Sequence, residues 1–111
     1  LEPSLKDDLL LAEGLSYKVL IKYNKRINKN EFFGTHNDFL AFTPFLGKKD
    51  EGVLLVNHEY FHPVLLHERK MSSPRKREDV IREQLAVGCS LIHIKKVDDQ
   101  WTFVPESSYN R

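Results

Sequence analysis

With 111 residues the chain is long enough for one hydrophobic core, so at most one domain is expected. A hydrophobic share of 41% and a charged share of 30% are those of a folded globular chain, and 17 Lys and Arg against 16 Asp and Glu exclude a global field drawing the protein to nucleic acid or membrane. The single cysteine, Cys89, excludes an internal disulfide framework and a zinc site made of cysteines alone. No apolar run approaches the ~20 residues of a membrane helix, and no signal-peptide pattern is present. The chain opens on Leu1 and stops at Arg111 soon after an apolar stretch, so it reads as one segment, residues 1–111, of a longer protein.

Taken in order, Ser4 is placed to cap a short helical turn running through Asp7 and Asp8 into Leu9, Leu10 and Leu11, with Gly14 ending it. From Tyr17 to Tyr23 the residues alternate, Tyr17, Val19, Ile21 and Tyr23 against Lys18, Leu20 and Lys22, which predicts a half-buried strand. Asn24 to Glu31 is polar and predicts an exposed loop. The turn-forming run Gly34-Thr35-His36-Asn37-Asp38 opens into a strand from Phe39 to Phe45. A hydrophilic connection bounded by Gly47 and Gly52 then returns the chain through Val53 to Val56, a hairpin.

That hairpin sets Asp38 and the polar run Asn57-His58-Glu59 at one end, away from the connecting loop. A packed strand end holds side chains still, as a group that binds an ion or a reacting atom requires. Pro63 makes the stretch from Phe61 to His67 irregular. Ser73 followed by Pro74 predicts a helix start, Glu78 is set to pair with Arg82, Val80, Ile81 and Leu85 make a narrow apolar stripe, and Gly88 stops the helix. A strand from Cys89 to Val97 follows, and Asp98-Asp99-Gln100 turns it into a partner at Trp101 to Val104. The coarse map is mainly β: antiparallel hairpins with one short helix.

The series Phe33-Gly34-Thr35-His36-Asn37-Asp38-Phe39-Leu40-Ala41-Phe42, then Leu54-Leu55-Val56-Asn57-His58-Glu59-Tyr60, Gly88-Cys89-Ser90, Trp101 and Ser108-Tyr109-Asn110-Arg111 resembles the N-terminal part of the bacterial PhoX-type alkaline phosphatases. The Asn-His-Glu-Tyr run after an apolar strand is the most specific element of the resemblance, which covers nearly all of the chain from Gly14. It implies a periplasmic or secreted phosphomonoesterase on a six-bladed β-propeller, with iron and calcium clustered on one face. Carried over by position, Glu59 and Asp38 correspond to carboxylates suited to hard cations, Asn57 offers an amide oxygen beside them, and Cys89 corresponds to an iron-binding thiolate. His58 is placed as an orienter of Glu59 or as a buried donor. The implied partners are a phosphate monoester and the rest of the propeller chain, with no nucleic acid or membrane. The remaining ligands would come from outside these residues, so the segment by itself is expected to be inactive.

Three departures from the family pattern stand out. His36 occupies the place of a second Asn, Val87 that of a His, and Tyr23-Asn24-Lys25 that of a Trp-Gly-Asp run. They fit a divergent member, and they keep open a non-catalytic propeller segment or a small binding domain. Without the resemblance, Cys89 reads as a small buried hydrophobe, Asp38 as a turn residue, Trp101, Phe103 and the aromatics from Phe39 to Phe45 as core, and His62, His67 and His93 as surface or structural residues. The basic residues Arg69, Lys70, Arg75, Lys76 and Arg77 read as a solvated loop and helix start, with Arg75 to Arg77 unfavourably placed against the helix dipole.

Overall fold

A computed structural model describes residues 4–6, 8–67 and 74–111. Four strands form one antiparallel sheet in the order β1-β2-β3-β4: β1 Leu40–Pro44, β2 Glu51–His58, β3 Gly88–Val97 and β4 Gln100–Phe103. The two expected hairpins therefore join, because β2 pairs with β3 along its whole length from Glu51↔Lys95 to His58↔Gly88. The excursion between them carries a short helix α1, Pro63–His67, and a second helix α2, Arg77–Leu85.

Each turn has a local cause. Asp98 and Asp99 both take positive φ, at 50° and 62°, between the paired residues Val97 and Gln100, the conformation that matches the right-handed twist of a two-residue hairpin. Gly88, with φ of 129°, sits where a side chain is disfavoured and switches the chain from α2 into β3. At the β1–β2 connection Phe45 N–H donates to Glu51 (3.0 Å) and Lys48 pairs with the Glu51 carboxylate at 2.7 Å.

One face of the sheet carries the core. Alternate residues Val56 of β2 and Ile92 and Ile94 of β3 meet Ile27 and Phe33 from the preceding irregular segment, all at most 4% exposed, with Leu54, Trp101 and Phe103 around them. Full burial of a side chain such as Ile92 contributes ~1.5–3 kcal/mol relative to leaving it in water.

Several sequence expectations fail here. Tyr17 to Tyr23 forms no strand: the adjacent residues Leu20 and Ile21 both pack on the core, while Tyr17, Val19 and Tyr23 stay exposed. Alternation makes a strand only where a neighbouring strand supplies hydrogen bonds, and this segment instead makes local turns such as Lys25 N–H to Lys22 C=O (3.1 Å). The Ser4 turn is not a helix either; Ser4 Oγ accepts the Lys6 N–H at 3.1 Å, while Asp7 lies outside the described residues. The polar loop from Asn24 hides one core residue, Ile27.

The α2 helix begins at Arg77, later than Pro74, and Ser73, Arg69 and Lys70 lie outside the described residues. Asp79 reaches back to accept the Lys76 N–H (3.1 Å), and Arg75 pairs with Glu83 at 3.1 Å, which gives the basic run before the helix a structural use. Among the described residues Glu78 makes no ion pair with Arg82, whose guanidinium instead donates to the Leu66 carbonyl at 3.5 Å. The expected apolar stripe of Val80, Ile81 and Leu85 is exposed. What ties α2 to α1 is polar: the buried His67 ring has its nitrogens 3.5 Å from Asp79 and 3.2 Å from Glu83.

Candidate functional site

Antiparallel pairing brings the start of β1, the end of β2 and the start of β3 to one edge of the sheet, and the polar residues of the sequence gather there. Asn57 N–H donates to the Phe39 carbonyl (3.0 Å), which fixes the backbone beside Asp38. The Asn57 side-chain amide donates to Asp38 Oδ1 at 2.6 Å. Across the other ladder Asn57 is the direct partner of Cys89, and directly opposite residues share a face with Cβ atoms ~4.5–5.5 Å apart. Cys89 is exposed, so it is not the buried hydrophobe its residue type suggests. Glu59 is exposed and anchored through its backbone, its N–H donating to the His36 carbonyl at 3.2 Å.

His58 turns to the opposite, core face. Its Nδ1 lies 2.7 Å from Asn37 Oδ1 and 3.3 Å from the Thr35 carbonyl, which can only accept, so Nδ1 carries the proton. Nε2 then accepts from the Ser90 hydroxyl at 2.8 Å. Burial pushes the imidazole below the ordinary histidine pKa and so favours this neutral form, against a smaller, opposing effect of the Thr35 carbonyl. Phe33 packs edge-on against the ring at 5.0 Å. Gly34 lies beneath it, where a Cβ would come within 2.8 Å of His58 Cγ. His58 thus holds no contact to Glu59; it ties Asn37, next to Asp38, to Ser90, next to Cys89.

The loop side of this edge carries stacked rings. His36 lies 3.7 Å from Tyr60, centroid to centroid, at 27°, and 6.2 Å from His62 in a nearly parallel plane. Its Nδ1 reaches the Tyr60 carbonyl at 2.9 Å and Thr35 Oγ1 at 3.0 Å, and its φ of 52° places a non-glycine residue in the left-handed region.

A family model described as alkaline phosphatase PhoX matches residues 1–111, the entire chain. The chain belongs to the PhoX alkaline phosphatase family. A solved structure of Pseudomonas fluorescens PhoX in complex with vanadate, a transition state analogue, is similar with a TM-score of 0.73 and 29% sequence identity over 85% of this chain. The chain spans 19% of that protein's length. No curated protein matches it. The mainly β, antiparallel architecture agrees with the PhoX structure.

Carboxylate and amide oxygens are donors that hard cations take and a thiolate is one that soft cations take; here Asn57 joins the Asp38 carboxylate to the position opposite Cys89. The set is incomplete: among the described residues no three His, Cys, Asp or Glu side chains gather closely enough to hold a metal. A cavity of about 1060 Å³ lies elsewhere, between residues 25–31 and 105–111, and none of Asp38, Asn57, Glu59 or Cys89 lines it.

Asn110 escaped the sequence reading, and His93 takes the structural side of its two readings. Asn110 is wholly buried; its Oδ1 accepts the His93 N–H (2.8 Å) and its amide donates to the Ile27 and Val104 carbonyls at 2.9 and 3.0 Å. His93 is buried rather than superficial, with Nε2 3.0 Å from Glu51 and Nδ1 2.8 Å from Ser107. Next to Asn110, Arg111 exchanges both backbone hydrogen bonds with Leu91, at 2.7 and 3.0 Å, two positions beyond Cys89. Asn110 stood inside a quoted motif, but a lone amide has no periodic signature that would mark it as a backbone surrogate. Of the residues assumed to be core, Trp101 and Phe103 are half-buried, while Phe39 and Phe42 are exposed.

Proposed function

We propose that this chain is an N-terminal segment of a PhoX-type phosphomonoesterase, one portion of a six-bladed propeller, that supplies part of an iron and calcium centre. The observation that carries the reading is the strand-end cluster, with Asn57 bonded to Asp38 and set opposite Cys89. Asp38, Glu59 and the Asn57 oxygen would take calcium, and the Cys89 thiolate would take iron. Such cations, when bound, neutralise phosphoryl oxygens and activate an oxygen nucleophile. The chain's own part is to hold these donors in place: Asn57 restrains the Asp38 carboxylate, and His58 pins the neighbours of Asp38 and Cys89 from below. Vanadate in the similar Pseudomonas protein supports phosphoryl chemistry for the family.

The radius of gyration of 16.8 Å exceeds the roughly 13 Å of a compact domain this long, and apolar residues including Leu40, Leu46 and Leu85 are exposed. Both features support a segment that packs against more of its own chain rather than a stand-alone binding domain. We propose from the family resemblance that the mature protein works in the periplasm or is secreted.

Metal analysis of the full-length protein should find iron and calcium, and Glu59→Gln and Cys89→Ser should each lower hydrolysis of a chromogenic phosphate monoester at least about a hundredfold. A metal-free, inactive full-length protein would overturn the reading in favour of a non-catalytic segment.

A further inference from the structure

We infer that His36 and Tyr60 form a stacking platform beside the strand-end donors that selects phosphate monoesters carrying a planar aromatic ring. The inference rests on the phosphomonoesterase reading for its reaction, and on the ring geometry for its selectivity.

Three observations converge. The imidazole and phenol rings lie nearly face to face at 3.7 Å, and the His62 ring is stacked in a nearly parallel plane 6.2 Å from His36. Tyr60 is 53% exposed and His36 is half-buried, so the stack has an open side rather than ending in the core. The geometry is also held at a cost. His36 keeps a left-handed φ of 52° because its ring nitrogen is tied to the Tyr60 carbonyl and its own carbonyl accepts the Glu59 N–H. Backbone strain that the surroundings enforce concentrates at ligand clamps and active sites.

Position supplies the rest. Tyr60 follows Glu59 directly, and His36 stands two residues before Asp38 with its carbonyl bonded to the Glu59 N–H, so the platform would receive the leaving group of a phosphate held by those donors. His36 Nε2 makes no hydrogen bond among the described residues, which leaves it to meet a polar atom at the edge of that leaving group. An aromatic face accepts any flat π-system, a phenyl ring or a nucleobase, and offers an alkyl leaving group much less.

The test uses full-length protein. Phenyl phosphate, adenosine 5′-monophosphate and glycerol 3-phosphate are compared by kcat/KM in wild type, His36→Asn, Tyr60→Leu and Tyr60→Phe. Asn tolerates the left-handed turn while deleting the ring, and Phe keeps the stack. The two ring-deleting variants should lose roughly five- to tenfold on at least one aromatic ester and less than about twofold on glycerol phosphate, with Tyr60→Phe near wild type. Loss on phenyl phosphate alone assigns the platform to small aryl esters; loss on the nucleotide alone assigns it to nucleosides. Equal loss on all three esters, or none, overturns it. A readout without turnover is the affinity for phenylphosphonate against methylphosphonate by calorimetry. Wild type should prefer the phenyl compound, and the preference should collapse in His36→Asn and Tyr60→Leu. If no ester is hydrolysed, the phosphatase reading falls, and the phosphonate pair still decides the platform: a wild type with no phenyl preference refutes it.

Discussion

Replacing Asn110 by Ala removes three hydrogen bonds at once from a site that water does not reach. The His93 N–H loses its acceptor, and the Ile27 and Val104 carbonyls lose their donor. A buried polar group left without a partner costs ~1–3 kcal/mol. Even at the lower bound for each of the three groups, the total is about 3 kcal/mol, since the small Ala side chain repairs none of them. Every 1.4 kcal/mol is a tenfold change in an equilibrium constant, so local opening should become roughly a hundredfold more frequent. Native-state hydrogen exchange on the full-length protein reads this directly at the His93 amide, with Ser107→Ala as a control that removes the hydroxyl on His93 Nδ1 and the 3.3 Å acceptor of the Tyr109 N–H but leaves the three Asn110 side-chain bonds in place. The reasoning is refuted if the His93 amide exchanges less than threefold faster in Asn110→Ala, or if Ser107→Ala speeds it equally. Leu91, bonded to Arg111 next door, should lose protection with it.

Gly34→Ala should cost ~1–3 kcal/mol by overpacking, because the added Cβ meets the His58 ring at 2.8 Å; a thermal melt should show it, with the His58 ring resonances displaced. The depressed pKa of His58 fixes a sign: below about 6.5 the unfolded chain binds a proton that the folded chain does not. Its contribution is therefore complete above pH ~6.5 and is lost as pH falls from there through the depressed folded value. Melting temperatures between pH 7.5 and 5 should fall less steeply in His58→Gln than in wild type, and parallel slopes would contradict the assignment. Glu83→Ala removes the carboxylate shared by His67 and Arg75, worth roughly 2 kcal/mol, and should expose the α1–α2 excursion to limited proteolysis while β2 and β3 stay protected.

The four strands were legible because each is a short run rich in apolar or aromatic residues bounded by turn residues, and the meeting of Asp38 with Asn57 follows from chain reversal alone. His58 also stood in plain view: two positions past Val56 on the same side of the period, it had to face the core. Other features depend on partners that no local pattern names. Tyr17 to Tyr23 alternates clearly, yet it meets no strand edge and covers the sheet as irregular chain. The apolar stripe of α2 looked like a buried face, whereas a histidine sixteen residues from Glu83 decides which side of the helix is held. That Asn57 meets Asp38 and stands opposite Cys89 was legible from strand pairing, whereas that no three His, Cys, Asp or Glu side chains gather among the described residues is a property of distance.

Because His58 and Gly88 face one another across β2 and β3, the chain departs at residue 59 and re-enters at residue 88 through a single doorway. Length or composition between those points is decoupled from the spacing of Asp38, Asn57 and Cys89. Tyr60 lies just outside that doorway. A lineage can therefore rewrite the excursion, Tyr60 included, and keep the strand-end arrangement of Asp38, Asn57 and Cys89 unchanged.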